Sequence, residues 1–117
     1  MNKEELIKRT RQFAIRVFLV VEKFPKTLAA DVIAKQLLRS SSSVAANYRA
    51  VNRAKSKNDF SNKLKIVLEE ADESNFWLGF SIDVNLLKPS AELDFLIKES
   101  DEFVAMFTAA LKTLDGK

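Results

Sequence analysis

Apolar residues recur at helical spacing in four segments of the chain, which short polar or proline-containing breaks separate. On a helical wheel with about 100° between successive residues, the pattern predicts helices near residues 3–24, 27–54, 57–87 and 90–114. Short connections between long helices favour an antiparallel up-down-up-down bundle. A chain of 117 residues suits one hydrophobic core. We therefore predict an all-α fold, with a single four-helix-bundle domain over residues 1–117.

The second segment contains four consecutive serines, residues 40–43, which resemble a linker. If one helix runs through them, five large side chains fall within an arc of about 60°. These are Ile33, Leu37, Val44, Tyr48 and Val51. Because a linker would not keep that phase, we predict a continuous helix in which Ser40 and Ser43 allow a neighbouring helix to approach closely. Asn47 borders this core face and is expected to hydrogen-bond to another helix or to fix its register.

Two helix starts carry capping signals. Ser56, with Asp59 three residues later, resembles a capping box and predicts the start of the third helix. Ser90 follows Pro89 and is the predicted N-cap of the fourth helix.

The chain carries more apolar surface than the core of one bundle needs. Ile15 and Leu19 project from the polar side of the first helix. A second stripe on the third helix lies opposite its core stripe and comprises Phe76, Trp77, Phe80, Val84 and Leu87. Since an exposed patch of this size promotes aggregation of a monomer, we expect these residues to form the interface of a homo-oligomer. A skewed bundle that buries them within one chain is the alternative.

Charge is segregated along the chain, although its net value is only +3. Residues 35–65 hold eight bases and one acid, whereas residues 66–102 hold two bases and ten acids. On the wheel, the bases of the second helix fall within about 80°, opposite the core. We name these bases and those that follow the helix the basic face, which comprises Lys35, Arg39, Arg49, Arg53, Lys55 and Lys57.

Two interpretations of the basic face remain open. Its side chains are candidate contacts to the phosphates of structured RNA or DNA, in a binding mode that is directed at the backbone and sensitive to salt. Alternatively, the arginines are solvated or pair with the acids of the third helix, within one subunit or between subunits. Tyr48 is predicted to face the core, so no aromatic side chain stands among the bases for stacking.

The composition argues against several classes of site. The chain has no histidine and no cysteine, which removes the commonest general base and the thiolate metal ligands. The serines from Ser40 to Ser43 have no histidine or obvious lysine base in register, and the glutamates of the third helix point away from its core stripe. We expect no catalytic residue, no metal, no cofactor and no small-molecule substrate. The longest apolar stretch is too short to span a bilayer and no signal peptide is evident, so we expect a cytoplasmic protein without membrane contact.

The run AKQLLRSSSSVAANYRAVNRAKSKNDFSNKLKIVLEEADESNFWL, residues 34–78, resembles the signature of the bacterial 23S rRNA intervening-sequence proteins. These are four-helix-bundle proteins, some of which are labelled ribosomal-type. The matching positions are Gln36, Leu37, Arg39, Ser40, Ser43, Ala46, Asn47, Ser56, Asp59, Phe60, Lys63, Leu64, Glu70, Glu73, Trp77 and Leu78. Phe24-Pro25 matches the Phe-Pro that closes the family's first helix. Tyr48-Arg49 departs from the acidic residue that many members carry, which strengthens the basic face.

The resemblance implies a left-handed antiparallel bundle that assembles as a ring, a homopentamer in known relatives. Accessory variability proteins of diversity-generating retroelements are similar in fold and assembly, and they bind nucleic acid and a reverse transcriptase through a basic surface. The family name records a genomic location and no activity. We therefore expect a non-enzymatic oligomeric bundle that binds structured RNA or DNA through the basic face. The alternative is a protein-directed scaffold or adaptor ring without nucleic-acid affinity.

Overall fold

Four long helices make up the computed structural model, which describes the backbone of residues 1–116 and the side chains of residues 1–114. They are α1 (Lys3–Val21), α2 (Leu28–Val51), α3 (Lys57–Asp83) and α4 (Ala91–Gly116). Helix α2 packs against α1 and α3, and α4 packs against α3 and approaches α1 less extensively. The bundle measures 46 × 22 × 22 Å. Within the described residues every regular element is a helix, so the all-α prediction is confirmed.

Side-chain caps begin the helices largely as the sequence predicts. The Ser90 hydroxyl accepts a hydrogen bond from the N–H of Leu93 at 3.1 Å. The Ser56 hydroxyl accepts from the N–H of Asp59 at 3.0 Å. The Asp59 carboxylate, however, accepts from the N–H of Lys55 and not from that of Ser56, so only half of the predicted capping box forms.

Helix α3 ends at Asp83, whereas the apolar pattern predicts an end near residue 87. Asn85 adopts a φ of 63°, in the left-handed region that asparagine tolerates better than most residues. The N–H groups of Asn85 and Leu86 then bond back to the carbonyls of Ile82 and Ser81. This is the Schellman arrangement, which terminates a helix.

Helices α1 and α2 also end before the predicted residues 24 and 54. The chain tightens at both ends, because the N–H of Phe24 bonds to the carbonyl of Val21 and that of Ala54 bonds to the carbonyl of Val51. Phe24 still belongs to the core, although it lies beyond the helix.

The buried core contains the apolar stripes that the wheel predicts. Its fully buried members include Phe13, Val17, Leu37, Val44, Val67, Leu78, Leu96 and Phe103. Phe13 of α1 meets Phe103 of α4 edge to face, with ring centroids 5.5 Å apart. Tyr48 stacks on Phe107 at 5.7 Å, which confirms that its ring faces inward.

The four serines lie inside α2, as predicted. Ser40 is buried where α2 meets α3, and it accepts a hydrogen bond from the hydroxyl of Ser74 at 3.0 Å. Such a short bridge requires small side chains on both helices, so the serines set the close packing of this pair.

The prediction that Asn47 forms a hydrogen bond to another helix is wrong. Its amide donates to the carbonyl of Ser43, one turn earlier in the same helix, at 2.9 Å. Asn75 of α3 makes the cross-helix contact instead, donating to the Ser100 hydroxyl of α4 at 2.9 Å and to the Ile97 carbonyl at 3.3 Å.

Candidate nucleic-acid interface

The basic face does not continue as one helical stripe. Lys35, Arg39 and Arg49 are exposed along α2, but Arg53 lies in the turn beyond the helix and Lys57 is the first residue of α3. Since an α-helix rises about 1.5 Å per residue, Lys35 and Arg49 stand about 21 Å apart along α2. The structure therefore divides the basic face into a line along α2 and a corner at its C-terminal end.

The corner between α2 and α3 borders a cavity of about 510 Å³. Lys55 and Lys57 line it, together with apolar side chains from the ends of α2, α3 and α4. Asp59 stands beside it, and Lys63 pairs with that carboxylate at 2.5 Å. The hydrogen bond from Lys63 holds the pKa of Asp59 below its ordinary value. The Asp59 carboxylate is thus neutralised by a base outside the basic face.

Arg39 differs from the rest of the basic face because it is held by two acids of α3. Its guanidinium bonds to Glu70 at 3.1 Å and to Glu73. The hydrogen bond to Arg39 lowers the pKa of Glu73, and the same bond raises the pKa of Arg39. The indole N–H of Trp77 also donates to Glu73 at 3.1 Å. For Arg39, the interpretation of pairing with the third helix applies within one chain.

The other long cations of α2 and its turn have no such partner. Lys35, Arg49 and Arg53 are exposed, and none of them forms an ion pair with the part of the chain that the structure describes. Their charge is therefore available to an anionic partner.

Arg11 joins the surface around Arg49, although the sequence pattern does not select it. The two arginines line one cavity of about 450 Å³ between α1 and α2, with Ile7 and Ala45 as its apolar residues. In sequence, Arg11 is one of several bases on the polar side of the first helix, and nothing distinguishes it from them. Only the packing of α1 on α2 brings it to the basic face.

Two helices carry exposed apolar side chains of the predicted interface. Ile15 and Leu19 of α1 expose 42% and 56% of their surface. Phe76 of α3 exposes 55%, and Val84, the C-cap residue that follows α3, exposes 43%. Phe18 of α1, at 50% exposure, belongs with them and lies on the same side of the helix as Ile15, although it was not among the predicted residues. A compact fold of the single chain therefore leaves much of this surface in water.

The aromatic part of the α3 stripe forms a cluster. Phe76 stacks on Phe80 at 5.6 Å, and Trp77 meets both rings edge to face. Leu87 is different: it lies in the connection after α3, half-buried against the core. The Schellman turn at Asn85 removes Leu87 from the helical stripe on which the sequence places it.

The family model described as 23S rRNA-intervening sequence protein matches residues 2–109. The chain belongs to this family. A crystal structure of a protein of unknown function from the S23 ribosomal protein family of Bacteroides thetaiotaomicron VPI-5482 superposes with a TM-score of 0.82. The two share 29% identity, over 92% of this chain and 98% of that one. No curated protein is significantly similar to the chain.

This intervening-sequence family assignment names no reaction. Over the described residues, no group of three potential ligands is placed to hold a metal ion, and no helix has the length and apolar character needed to cross a bilayer. The distinctive surfaces of the molecule are therefore the basic side chains around α2 that form no ion pair and the exposed apolar residues of α1 and α3.

Proposed function

We propose that this member of the intervening-sequence family is a non-enzymatic, homo-oligomeric bundle that binds structured RNA or DNA through its basic face. The observation that carries the proposal is the selective pairing of the arginines. Arg9, Arg16 and Arg39 are engaged by acids of neighbouring helices, whereas Arg49 and Arg53 are exposed and unpaired among the described residues. Uncompensated cations on one surface favour phosphate contacts with release of counterions.

The proposal includes antiparallel up-down-up-down connectivity, and the cross-helix pairs support it. Arg9 of α1 pairs with Glu99 of α4, while the later residue Arg16 pairs with the earlier residue Glu92. This reversed order is expected for antiparallel neighbours. We propose the left-handed twist and a pentameric ring because the family resemblance implies them.

The decisive experiment is a fluorescence-anisotropy titration with a structured rRNA fragment and a DNA duplex across a salt series. Four phosphate contacts from one subunit would give a log–log salt slope of about −3 to −4 on a duplex, and several subunits would give a steeper slope. The double variant Arg49→Glu, Arg53→Glu should lose this binding while keeping its oligomeric mass.

A matched control changes the same amount of charge elsewhere. Lys98→Glu with Lys112→Glu replaces two exposed bases of α4. This control should keep most of the affinity if binding is local to the basic face. An equal loss of affinity in both double variants would show that binding depends only on net charge, and it would contradict a defined interface. Loss of the oligomer in the Arg49/Arg53 variant would show that these residues form a subunit contact instead.

We propose the apolar surface of α1 and α3 as the oligomer interface. Burying apolar area stabilises association by about 25 cal/mol per Å², and stacked aromatic side chains add specific contacts. The variant Phe76→Ser, Val84→Ser should dissociate the protein in light scattering, whereas Leu28→Ser, Val32→Ser removes exposed apolar side chains from α2 and should not. A wild-type mass near 13.2 kDa would contradict the assembly.

The alternative function is a scaffold or adaptor ring for another protein. The aromatic cluster of exposed Phe76 with partly buried Trp77 and Phe80 favours it, because such a cluster also suits a foreign protein surface. The two functions differ in the titration: a scaffold shows no nucleic-acid binding even at low salt.

A further inference from the structure

Two arginines without an acidic partner remain unexplained, and they lie together at the cavity between α1 and α2. Arg11 and Arg49 line this cavity, and no acid lines it with them. Neither forms an ion pair within the described residues, in contrast to the three arginines that acids engage. Two cations at one cavity repel each other, and no acid stands among the residues that line it.

The sequence around each arginine also lacks a helical partner for it. Side chains three or four residues apart on a helix are neighbours and form its local ion pairs. At those positions Arg11 has Ile7, Lys8, Ala14 and Ile15. Arg49 has Ala45, Ala46, Asn52 and Arg53. Since none of the eight is acidic and two are basic, the local sequence raises the positive potential at the cavity.

The chemistry of the cavity selects the ligand. A guanidinium presents several N–H donors in a planar fork that matches the oxygens of a phosphate, and two such forks can share one phosphate group. Ile7 and Ala45 supply the apolar part of the lining. A volume of about 450 Å³ is large against the roughly 30 Å³ that one water occupies, so a phosphate fits with part of its hydration shell.

We infer that Arg11 and Arg49 together bind a single phosphate group between α1 and α2. The phosphate comes either from a free anion or from the backbone of a bound nucleic acid. The backbone source rests on the proposed function, whereas the free-anion source does not. Two experimental arms therefore separate the failure of this site from the failure of the proposed function.

The first arm uses the wild-type protein and inorganic phosphate. The Nε–Hε resonances of the arginines are followed by NMR while sodium phosphate replaces sodium chloride at constant ionic strength. Arg11 and Arg49 should shift together along one saturable curve, and Arg53, which is exposed but does not line the cavity, should stay in place. Equal shifts of all three resonances, or no shift at Arg11 and Arg49, would overturn the inference.

The second arm measures the salt slope of nucleic-acid binding in Arg11→Gln, Arg49→Gln and the double variant. If both arginines share one phosphate, each single substitution should reduce the salt slope by about 1. The double variant should then show no further reduction. A reduction of about 2 in the double variant would assign two separate phosphates and overturn the shared site. Arg53→Gln is the matched control, which should combine additively with Arg11→Gln.

The two arms give distinguishable outcomes. If inorganic phosphate binds the cavity but no nucleic acid binds the protein, the site stands and the proposed function fails. If nucleic acid binds with an unchanged slope in Arg11→Gln, the proposed function stands and the shared site fails. Because both arginines are exposed, the glutamine variants should fold like the wild type and melt at no lower temperature, which circular dichroism checks.

Discussion

The contact between α1 and α4 and the outer face of α2 both carry arginines, yet the structure uses them differently. Along α1, Arg9 bonds to Glu99 at 2.5 Å and Arg16 bonds to Glu92 at 2.5 Å. On α2, Arg49 forms no ion pair with the described residues. The difference shows that an arginine on the polar side of a helix acquires its role from the helix beside it.

Packing explains why the α1–α4 contact depends on charge. These helices approach each other less extensively than the other neighbouring pairs. Arginine stems and guanidinium planes cover the gap: Arg9 lies 5.3 Å from the ring centroid of Phe103, and Arg16 lies 3.8 Å from that of Phe95. Each arginine therefore combines an ion pair with aromatic contact, which a solvated base on α2 does not have.

The largest expected effect comes from removing Arg9. The side chain of Glu99 is only 11% exposed, so Arg9→Met leaves a carboxylate nearly buried without its partner. We expect a loss of about 2 kcal/mol in the free energy of unfolding, measured by urea denaturation. Arg49→Met serves as the comparison and should change the free energy by less than about 0.5 kcal/mol. Equal effects of the two variants would remove the distinction between the two regions.

A smaller effect is expected for Arg39, which belongs to the basic face but is held by α3. Its side chain is 47% exposed, so its ion pairs are screened by water and Arg39→Met should cost less than about 1 kcal/mol. Because its guanidinium is occupied by Glu70 and Glu73, the salt slope of nucleic-acid binding should stay unchanged. A slope reduced by about 1 would instead place Arg39 on a phosphate.

Acid should weaken the paired regions selectively. Hydrogen bonds from Arg16 and Arg39 hold the pKa values of Glu92 and Glu73, respectively, below their ordinary range. A carboxylate with a lowered folded-state pKa contributes stability above its unfolded pKa, about 4.3 for glutamate, and loses it as the pH falls through the folded value.

The wild type should therefore lose more stability between about pH 5 and pH 3 than the double variant Arg16→Met, Arg39→Met. The difference should amount to a few tenths of a kcal/mol for each of these solvent-accessible pairs. Parallel curves of unfolding free energy against pH would show that the pairs contribute nothing in solution.

The smallest effect should have the opposite sign. Replacing Arg11 by Gln removes one of two like charges at the α1–α2 cavity, so the variant should gain a few tenths of a kcal/mol at low salt. The gain should vanish when salt screens the charges. Thermal unfolding in 10 mM and 500 mM sodium chloride measures it, and a loss of stability at low salt would contradict repulsion at the cavity.

Much of the fold was predictable because it depends on local pattern. Ile33, Leu37 and Val44 keep one helical phase on both sides of the serines, which predicts a continuous α2. Ser90 begins α4 where predicted. The ends of helices were less predictable, since the apolar pattern continues beyond them. Asn85 was an available signal for the end of α3, because asparagine is a known alternative to glycine at that position.

The candidate site was predictable only in part. The wheel places Lys35, Arg39 and Arg49 on the outside of α2, and the structure exposes all three. The helical wheel does not reveal that Arg39 is held by α3 or that Arg11 shares a cavity with Arg49. Both facts depend on which residues of two separate helices stand side by side.

The sequence by itself determined the four helices, their buried faces and the segregation of charge, because helical periodicity and capping act over a few neighbouring residues. The tertiary structure alone decided which arginines are neutralised, which acid pairs with which basic side chain, and which side chains share a cavity. Those contacts depend on the rotation and register of packed helices, and many registers are compatible with the same apolar stripes. The Ser40–Ser74 and Asn75–Ser100 hydrogen bonds select one register, and the distribution of free charge follows from it.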